Sequence, residues 1–404
     1  MSTLKTLETL REAVRQRPEE IAQARKSGEK VVGYFCLYTP EEIIDALGLI
    51  PLRICRGGNE QWMEVGGQYT STKNCAYIRE MVGMFVDSKD KDPLLANSDI
   101  IALTTADLEM GRVAEVIHYY CKIDSAVLGV PRSLEDPSGR EYFRGAVKDF
   151  AAELERRSGR KLARSRLQES VELYREIRRC LLELYEYQAA ERPAISWREV
   201  FEVTEAGFYL DRRRYLGLLR ELLEEVRVQA PVAKRDERAR ILLCGSIIAP
   251  GDTRLLDIIE EMGGRVVGDD LCTSRRFYQE LEVKEPTVEG IAEGYMNRLP
   301  SAHLVCLRPF DEDRRFVNMV NLARNYRAEG MIYHTLRFCD AFSFKTQPIR
   351  RFVREKLGPF PFLNIHTEYS SSDVEAVRTR VESFLNIMTS ASEERPALAE
   401  ASPR

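Results

Sequence analysis

Short apolar segments alternate with helical patterns in two separate stretches of the 404-residue chain. In the first stretch, the segments that have the length and β-branched character of buried strands are 31–36, 50–55, 99–106 and 125–131. The helical patterns between them are 40–47, 74–86 and 108–120. Apolar strands that alternate with helices predict a parallel sheet covered by helices on both faces.

The second stretch repeats this alternation after residue 240. Its five predicted strands are 241–248, 264–272, 302–307, 330–339 and 360–368. Its predicted helices are 252–262, 286–298, 312–328, 346–357 and 372–389. We therefore expect a second doubly wound sheet.

Long helical patterns rich in Leu, Glu and Arg fill 136–230, between the two stretches, with a break near Pro193. The predicted fold is α/β, with two Rossmann-like parallel-sheet domains and an inserted helical domain. The expected organisation is an N-terminal helix (1–30), a first α/β domain (31–135), a helical domain (136–235), a second α/β domain (236–390) and a disordered tail (391–404).

Composition excludes several classes of protein. The chain carries 60 Lys and Arg against 64 Asp and Glu, without the basic excess of nucleic-acid-binding proteins. The charged N-terminus lacks the apolar core of a secretory signal. The longest uncharged runs, such as 31–40 and 241–251, are far shorter than the roughly 18 residues of a membrane-spanning helix. We expect a soluble cytoplasmic protein with no nucleic-acid or membrane partner.

The nine cysteines are scattered and odd in number, which favours free thiols over a disulfide framework. Those at or near the carboxyl ends of predicted strands, where parallel sheets gather ligands, are Cys36, Cys55, Cys272, Cys306 and Cys339. Cys75 begins a predicted helix, where backbone amides stabilise a thiolate. Cys121, Cys180 and Cys244 are expected to be structural. Burial as small apolar side chains remains the alternative for any single cysteine.

The spacing of these residues excludes several local motifs. There is no CxxC pair, which argues against a zinc ribbon, and no ferredoxin-type run of cysteines. No HExxH occurs among the four histidines, and GxSxG, Walker and GxGxxG motifs are absent. A metal cluster in this chain would have to be assembled from distant segments.

Several long motifs resemble one family. They are GYFCLYTPEEIIDALGLIPLRI (33–54), NCAYIREMVGMF (74–85), GDDLCTSRRF (268–277), HTLRFCDAFSF (334–344) and FLNIHTEYSSSDVEAVRTRVESFL (362–385). In this order they are similar to the 2-hydroxyacyl-CoA dehydratase and benzoyl-CoA reductase family, and the resemblance runs from about residue 30 to 389.

The resemblance implies a subunit that pairs with a homologous or identical subunit and holds a [4Fe–4S] cluster in an interdomain cleft. Cys75 and Cys339 match the first and last cluster cysteines of the family. It also implies a separate ATP-hydrolysing iron–sulfur activator that supplies a low-potential electron. In family dehydratases the electron converts an acyl-CoA thioester to a ketyl radical, and in the reductases it enters an aromatic ring.

One position departs from the family pattern. The family has a cluster cysteine in a Thr-Thr-Cys-Asp segment, whereas this chain has Ala106 between Thr105 and Asp107. Alanine cannot bind iron. The possible replacement ligands are Cys36, Cys55, Cys272, Cys306 and the carboxylate of Asp107. Some relatives use cysteines near 272 and 306 for a double-cubane cluster, for which this chain lacks the full set of six.

His334, five residues before Cys339, is a predicted catalytic proton donor, with a role beside the cluster or in the core as alternatives. The predicted function is an iron–sulfur subunit of an acyl-CoA dehydratase or reductase. Two alternatives remain open. The chain is either a non-catalytic partner of a cluster-bearing homologue, or a reductase with an atypical, double-cubane-like cluster and a small non-CoA substrate.

Overall fold

The computed structural model describes residues 4–88, 92–229 and 236–393, and it contains two 4-stranded parallel sheets. Residues 391–393 of the predicted tail belong to the last helix, and 394–404 lie outside the described residues. Both sheets have the parallel pairing that the alternation of strands and helices predicts, so the α/β fold class is confirmed.

The first sheet has the strand order β2-β1-β3-β4. Its strands are β1 (Val31–Tyr34), β2 (Ile50–Arg53), β3 (Ile100–Thr104) and β4 (Ala126–Leu128). The helices of this part of the chain are α1 (Lys5–Lys26), α2 (Glu41–Ala46), α3 (Glu60–Tyr69), α4 (Ala76–Ser88) and α5 (Leu108–Cys121). Every residue of β1 and β3 is buried, as expected for central strands covered on both faces.

Helix α3 is absent from the sequence prediction because Gly66 and Gly67 interrupt its helical pattern. The structure gives Gly66 a packing role instead. A Cβ atom on Gly66 would lie 1.7 Å from the carbonyl oxygen of Arg79, and one on Gly83 would lie 1.8 Å from that of Trp62. The two glycines therefore allow α3 and α4 to pack with their backbones in contact.

Four helices follow: α6 (Pro137–Ser158), α7 (Arg164–Glu186), α8 (Trp197–Ala206) and α9 (Arg212–Val228). Helices α6, α8 and α9 are capped at their N-termini by the side chain of an Asp or Ser residue. Asp136 accepts a hydrogen bond from the amide of Gly139, and Ser196 forms a capping box with Glu199. Leu7 and Leu10 of α1 share a core with the leucines of α9, so α1 packs onto this helical part of the chain.

The second sheet has the order β6-β5-β7-β8. Its strands are β5 (Ala239–Gly245), β6 (Gly264–Asp270), β7 (Gly330–Leu336) and β8 (Phe362–Thr367). Its helices are α10 (Arg254–Glu261), α11 (Arg275–Tyr278), α12 (Val288–Asn297), α13 (Arg314–Asn325), α14 (Asp340–Ser343), α15 (Thr346–Leu357) and α16 (Val374–Glu393).

The predicted strand at 302–307 is wrong. Strand β5 is hydrogen-bonded directly to β7, which leaves no position for a strand between them. The segment is a loop that reaches the first α/β part, where the amide of Val305 donates to the carbonyl of Arg132 at 2.8 Å. Its apolar side chains are not buried on two faces, since Leu307 is 77% exposed. Cys306 therefore does not end a strand.

Buried ion pairs tie α2 to the other parts of the chain. Glu42 is fully buried, and its carboxylate lies 2.7 Å from the Arg178 guanidinium of α7. The same carboxylate accepts a hydrogen bond from the Tyr295 hydroxyl of α12 at 2.9 Å. Glu41 is paired in the same way with Arg212 of α9. Helix α2, which follows β1, is thereby held between the helical part and the second sheet.

None of the helices in the described ranges is both long and apolar enough to cross a membrane.

The Glu42–Arg178 pair gives a stability prediction with a control on the neighbouring residue. Arg178→Met leaves Glu42 buried without its cation, and we expect the free energy of unfolding to fall by about 3 kcal/mol. Arg179→Met removes a pair with Glu176 in which Arg179 is 54% exposed, and we expect a loss below about 1 kcal/mol. Guanidinium denaturation of both variants measures the difference. Equal losses would contradict this account of how α2 is held.

Candidate functional site

A cavity lies where the carboxyl ends of the two sheets face each other. Its volume, including the open mouth, is about 690 Å³. Residues that follow β1, β3, β5, β6 and β7 all contribute to its wall; among them are Cys36, Ala106, Ser246, Cys272 and Cys339. This is the position at which parallel sheets bind ligands.

Cys75 and Cys339 meet at this cavity from opposite halves of the chain. Cys75 immediately precedes α4, and its carbonyl accepts the amide of Arg79 at 3.1 Å. Cys339 precedes α14, after a turn in which Phe338 has a left-handed φ of 65°. Both side chains are buried. A hydrogen bond with the Cys75 thiol, together with burial, raises the pKa of Cys339 well above its ordinary value.

Three further thiols lie toward β1, β2 and β6. Cys36 and Cys272 line the cavity, while Cys55 is fully buried and is not part of the lining. Burial raises the pKa of Cys55 to about 11 and also raises the pKa of Cys36. Cys36 and Cys55 both lie near enough to Cys272 for ionisation of Cys272 to raise their pKa values, so these thiols form one group.

Arg53 carries a positive charge in the same part of the wall. Its guanidinium lies against the rings of Phe208 and Phe277, 4.5 and 4.6 Å from their centroids. Its nitrogens donate to the carbonyl of Phe35 at 3.0 Å and to that of Cys272 at 3.2 Å. These acceptors are neutral carbonyl oxygens, which leaves the full positive charge of Arg53 for the cavity.

Ala106 is buried in the cavity wall, so a methyl group occupies the position at which the family pattern has a cysteine. The next residue, Asp107, caps α5 by accepting the amide of Glu109 at 2.9 Å. Its carboxylate also lies 3.0 Å from Nε2 of His303. Burial works to raise the pKa of Asp107, but the hydrogen bond with His303 opposes it, and this pKa lies below its ordinary value.

His303 lines the cavity, although nothing in the sequence around it predicts a site residue. Its Nδ1 lies 3.1 Å from Oγ of Ser301, and its ring packs edge-on against Phe342. No local motif marks this histidine. The segment around it has the composition of a strand, and its contact with Asp107 joins residues from different halves of the chain.

The structure does not bring Cys306 to this cavity. The Cys306 thiol lies on an exposed face of the 302–307 loop, 3.7 Å from an Oε atom of Glu135. His334 also lies apart from the cavity lining. It is buried on β7, where its Nε2 is 2.7 Å from Oγ1 of Thr367, and burial lowers its pKa to about 4.

Comparison with known proteins assigns the family. The family described as "2-hydroxyglutaryl-CoA dehydratase, D-component" matches residues 36–388. The chain belongs to this family. It is 25% identical to YjiM of Escherichia coli (strain K12), a protein named as a dehydratase subunit, over 91% of this chain and 94% of that protein.

Two further relatives in the dehydratase family have named activities. The (R)-phenyllactyl-CoA dehydratase beta subunit of Clostridium sporogenes is 24% identical over 89% of this chain and 92% of its own length. A benzoyl-CoA reductase subunit of Thauera aromatica is 22% identical over 88% of this chain and 90% of its own length. The resemblance expected from the motifs is thus confirmed for nearly the whole chain.

The thiols of this dehydratase-family chain suit an iron–sulfur cluster better than a single metal ion. Among the described residues, no group of three or more His, Cys, Asp or Glu side chains has the arrangement to hold one ion. In a cluster each thiolate binds a different iron, so the sulfur atoms need not converge on one point. Soft thiolate donors grouped on one cavity wall fit that requirement.

The burial of His334 predicts a loss of stability in acid. The folded pKa is about 4, whereas an unfolded histidine titrates near 6.5. Below pH 6.5 the unfolded chain binds the proton first, so the stabilising contribution is complete above about pH 6.5 and is lost as the pH falls toward 4. The total is about 3 kcal/mol.

The measurement is denaturant unfolding of the wild type and His334→Asn between pH 7.5 and pH 4.5. The asparagine does not titrate, so the wild type should lose stability relative to the variant as the pH falls. A constant difference between the two proteins would show that His334 is not buried in its neutral form.

Proposed function

We propose that this chain is the iron–sulfur subunit of an enzyme that acts on an acyl-CoA by single-electron chemistry, as a 2-hydroxyacyl-CoA dehydratase or a benzoyl-CoA-type reductase. One observation carries the proposal: Cys75 and Cys339, from opposite halves of the chain, both line the cavity between the two sheets. The named activities of the relatives support the substrate class and the two reaction types.

The proposed cofactor is a [4Fe–4S] cluster, or a variant of it, bound by Cys75 and Cys339. Cys36 and Cys272 also lie on the cavity wall, whereas Cys55 lies behind it and Cys306 outside it. When bound, such a cluster supplies low-potential single-electron transfer to the acyl-CoA.

The chain's own residues give this cavity a largely apolar wall that also contains the guanidinium of Arg53 and the carboxylate of Asp107. The side chains of Phe35, Leu37, Met110 and Phe342 form much of the lining and exclude water. The positively charged guanidinium of Arg53 is kept in the cavity wall by its hydrogen bond to the carbonyl of Phe35 and its contact with the ring of Phe208. In an environment with little water, this charge favours anionic thiolates and negative charge that develops on a bound substrate.

The proposed partners follow from the relatives. The phenyllactyl-CoA dehydratase relative is named as a beta subunit, and the benzoyl-CoA reductase relative is also one subunit of its enzyme. We therefore propose pairing with a homologous or identical subunit. A separate ATP-dependent iron–sulfur activator would supply the electron. The domain boundaries at 31–135, 136–235 and 236–390, and a cytoplasmic location, belong to the same proposal.

Ala106 favours a second candidate function. A subunit that has lost one cluster cysteine can serve as a non-catalytic partner of a homologue with a complete site, or carry an atypical cluster for a small substrate without CoA. Calorimetric titration with CoA esters separates the acyl-CoA enzyme, which binds them, from the small-molecule reductase, which does not. A stable complex with a homologue, active despite Cys339→Ala in this chain, would identify the non-catalytic partner.

Cysteine replacement tests the proposed cluster site. We expect anaerobically reconstituted wild type to contain iron and sulfide and to give an EPR signal after reduction. Cys75→Ala and Cys339→Ala should lose most of the iron, because each removes a thiolate for which the other cannot substitute. Cys180→Ala is the control, since Cys180 is equally buried but lies in the helical core.

Iron-free wild-type protein after reconstitution would refute the proposed function. Full iron binding by both Cys75→Ala and Cys339→Ala would instead show that the cluster lies elsewhere. Circular dichroism of each variant confirms that the chain is folded before its iron is measured.

A further inference from the structure

The side chains around the cavity form two groups. Cys75, Cys339 and Asp107 line the same cavity, and Asp107 is hydrogen-bonded to His303. Ala106 belongs to this group through its position beside Asp107 in the cavity wall. The part of the cavity wall that contains Cys75 and Cys339 therefore also contains Ala106 and His303.

The remaining thiols surround Arg53 instead. Burial works to lower the pKa of Arg53, but Cys55 and Cys272 lie near enough to oppose this effect, and the pKa is raised. The carbonyl of Cys272 accepts a hydrogen bond from the same guanidinium at 3.2 Å, and Cys36 lies near both Arg53 and Thr104. His303 is instead hydrogen-bonded to Asp107, the neighbour of Ala106.

His303 makes one contact with a carboxylate and one with a hydroxyl. Nε2 faces the Asp107 carboxylate at 3.0 Å, so in the neutral ring this nitrogen carries the proton and donates it. Nδ1 is then the acceptor and is hydrogen-bonded at 3.1 Å to the hydroxyl of Ser301, another residue of the cavity wall, which a metal ion would have to displace. Histidines that bind metals commonly show this arrangement, with one nitrogen on the metal and the other donating to a carboxylate.

We propose that Nδ1 of His303 is the third protein ligand of the cluster, in place of the cysteine that is absent at position 106. The inference rests on the proposed iron–sulfur function and assigns the ligand that the sequence left open. Asp107 fixes the orientation and tautomer of His303 and is not itself a ligand.

A histidine ligand changes the electronic properties of the site. Imidazole binds iron as a neutral donor, whereas a cysteine thiolate carries one negative charge. In Rieske centres the replacement of cysteines by histidines raises the reduction potential. The wild-type cluster should therefore have a higher potential than a variant in which a cysteine occupies the same coordination position.

The decisive test is pulsed EPR on the reduced cluster of the full-length protein, reconstituted anaerobically after removal of any purification tag. Protein labelled with ¹⁵N-histidine should show a nitrogen hyperfine coupling that changes with the isotope. His303→Ala should lose the coupling and most of the iron. His334→Asn, in which a buried histidine away from the cavity is replaced, should keep both.

Rescue variants show whether the loss of iron in His303→Ala comes from a missing ligand or from misfolding. His303→Cys, and Ala106→Cys combined with His303→Ala, should bind iron again without a nitrogen coupling and with a lower reduction potential. Asp107→Asn should keep the coupling but raise the potential, because the imidazole loses an anionic acceptor and donates less charge to the iron.

The outcomes separate this inference from the proposed function. A cluster in the wild type without any histidine coupling overturns the role of His303 and leaves the iron–sulfur function standing. The same holds if His303→Ala has the wild-type spectrum and iron content. If the wild type binds no cluster at all, both are refuted.

Discussion

The facing carboxyl ends of two parallel sheets are the constraint on which the site depends. Strands in such sheets end on one edge, and residues that follow β1, β3, β5, β6 and β7 line the same cleft. The buried pairs Glu41–Arg212 and Glu42–Arg178 hold α2 against the helical part of the chain. Tyr295 bonds the same helix to the second half. These buried contacts thus help to hold together the two halves of the chain that carry Cys75 and Cys339.

Local pattern was sufficient to predict most of the architecture. The segments around 31–36, 50–55, 241–248 and 330–339 became strands because each is short, apolar and β-branched, and those properties are visible without knowing the neighbours. The run at 302–307 has the same composition but forms a loop. Whether it forms a strand depends on whether β5 pairs directly with β7. A short segment of sequence does not contain that information.

The site was predictable only in part, for the same reason. Cys75 and Cys339 were found through motifs that resemble a family, and the structure places them together. His303 was missed because its significance comes from contact with Asp107, which follows a strand of the other half of the chain. His334 attracted attention through its closeness to Cys339 in sequence, yet its side chain is buried on β7 against Thr367 of β8. It lies apart from the cavity.

Position 106, which is alanine here and cysteine in the family pattern, is where this site differs from the family. With an alanine at this position the proposed cluster needs a donor from elsewhere, and the cavity wall contains the imidazole of His303. Together with Arg53, a neutral ligand lowers the negative charge that the cavity must hold. Such a site would favour a reduced cluster more than a site made of thiolates alone does.

The central claim, that one cluster is bound between the two sheets by Cys75 and Cys339, is tested most directly by locating iron in crystals. Anaerobically reconstituted protein would be crystallised and its anomalous scattering measured at the iron absorption edge. The account predicts a compact anomalous peak in the cavity, with the sulfur atoms of Cys75 and Cys339 bonded to it. An iron peak elsewhere in the molecule, or an iron site that either cysteine does not contact, would contradict it.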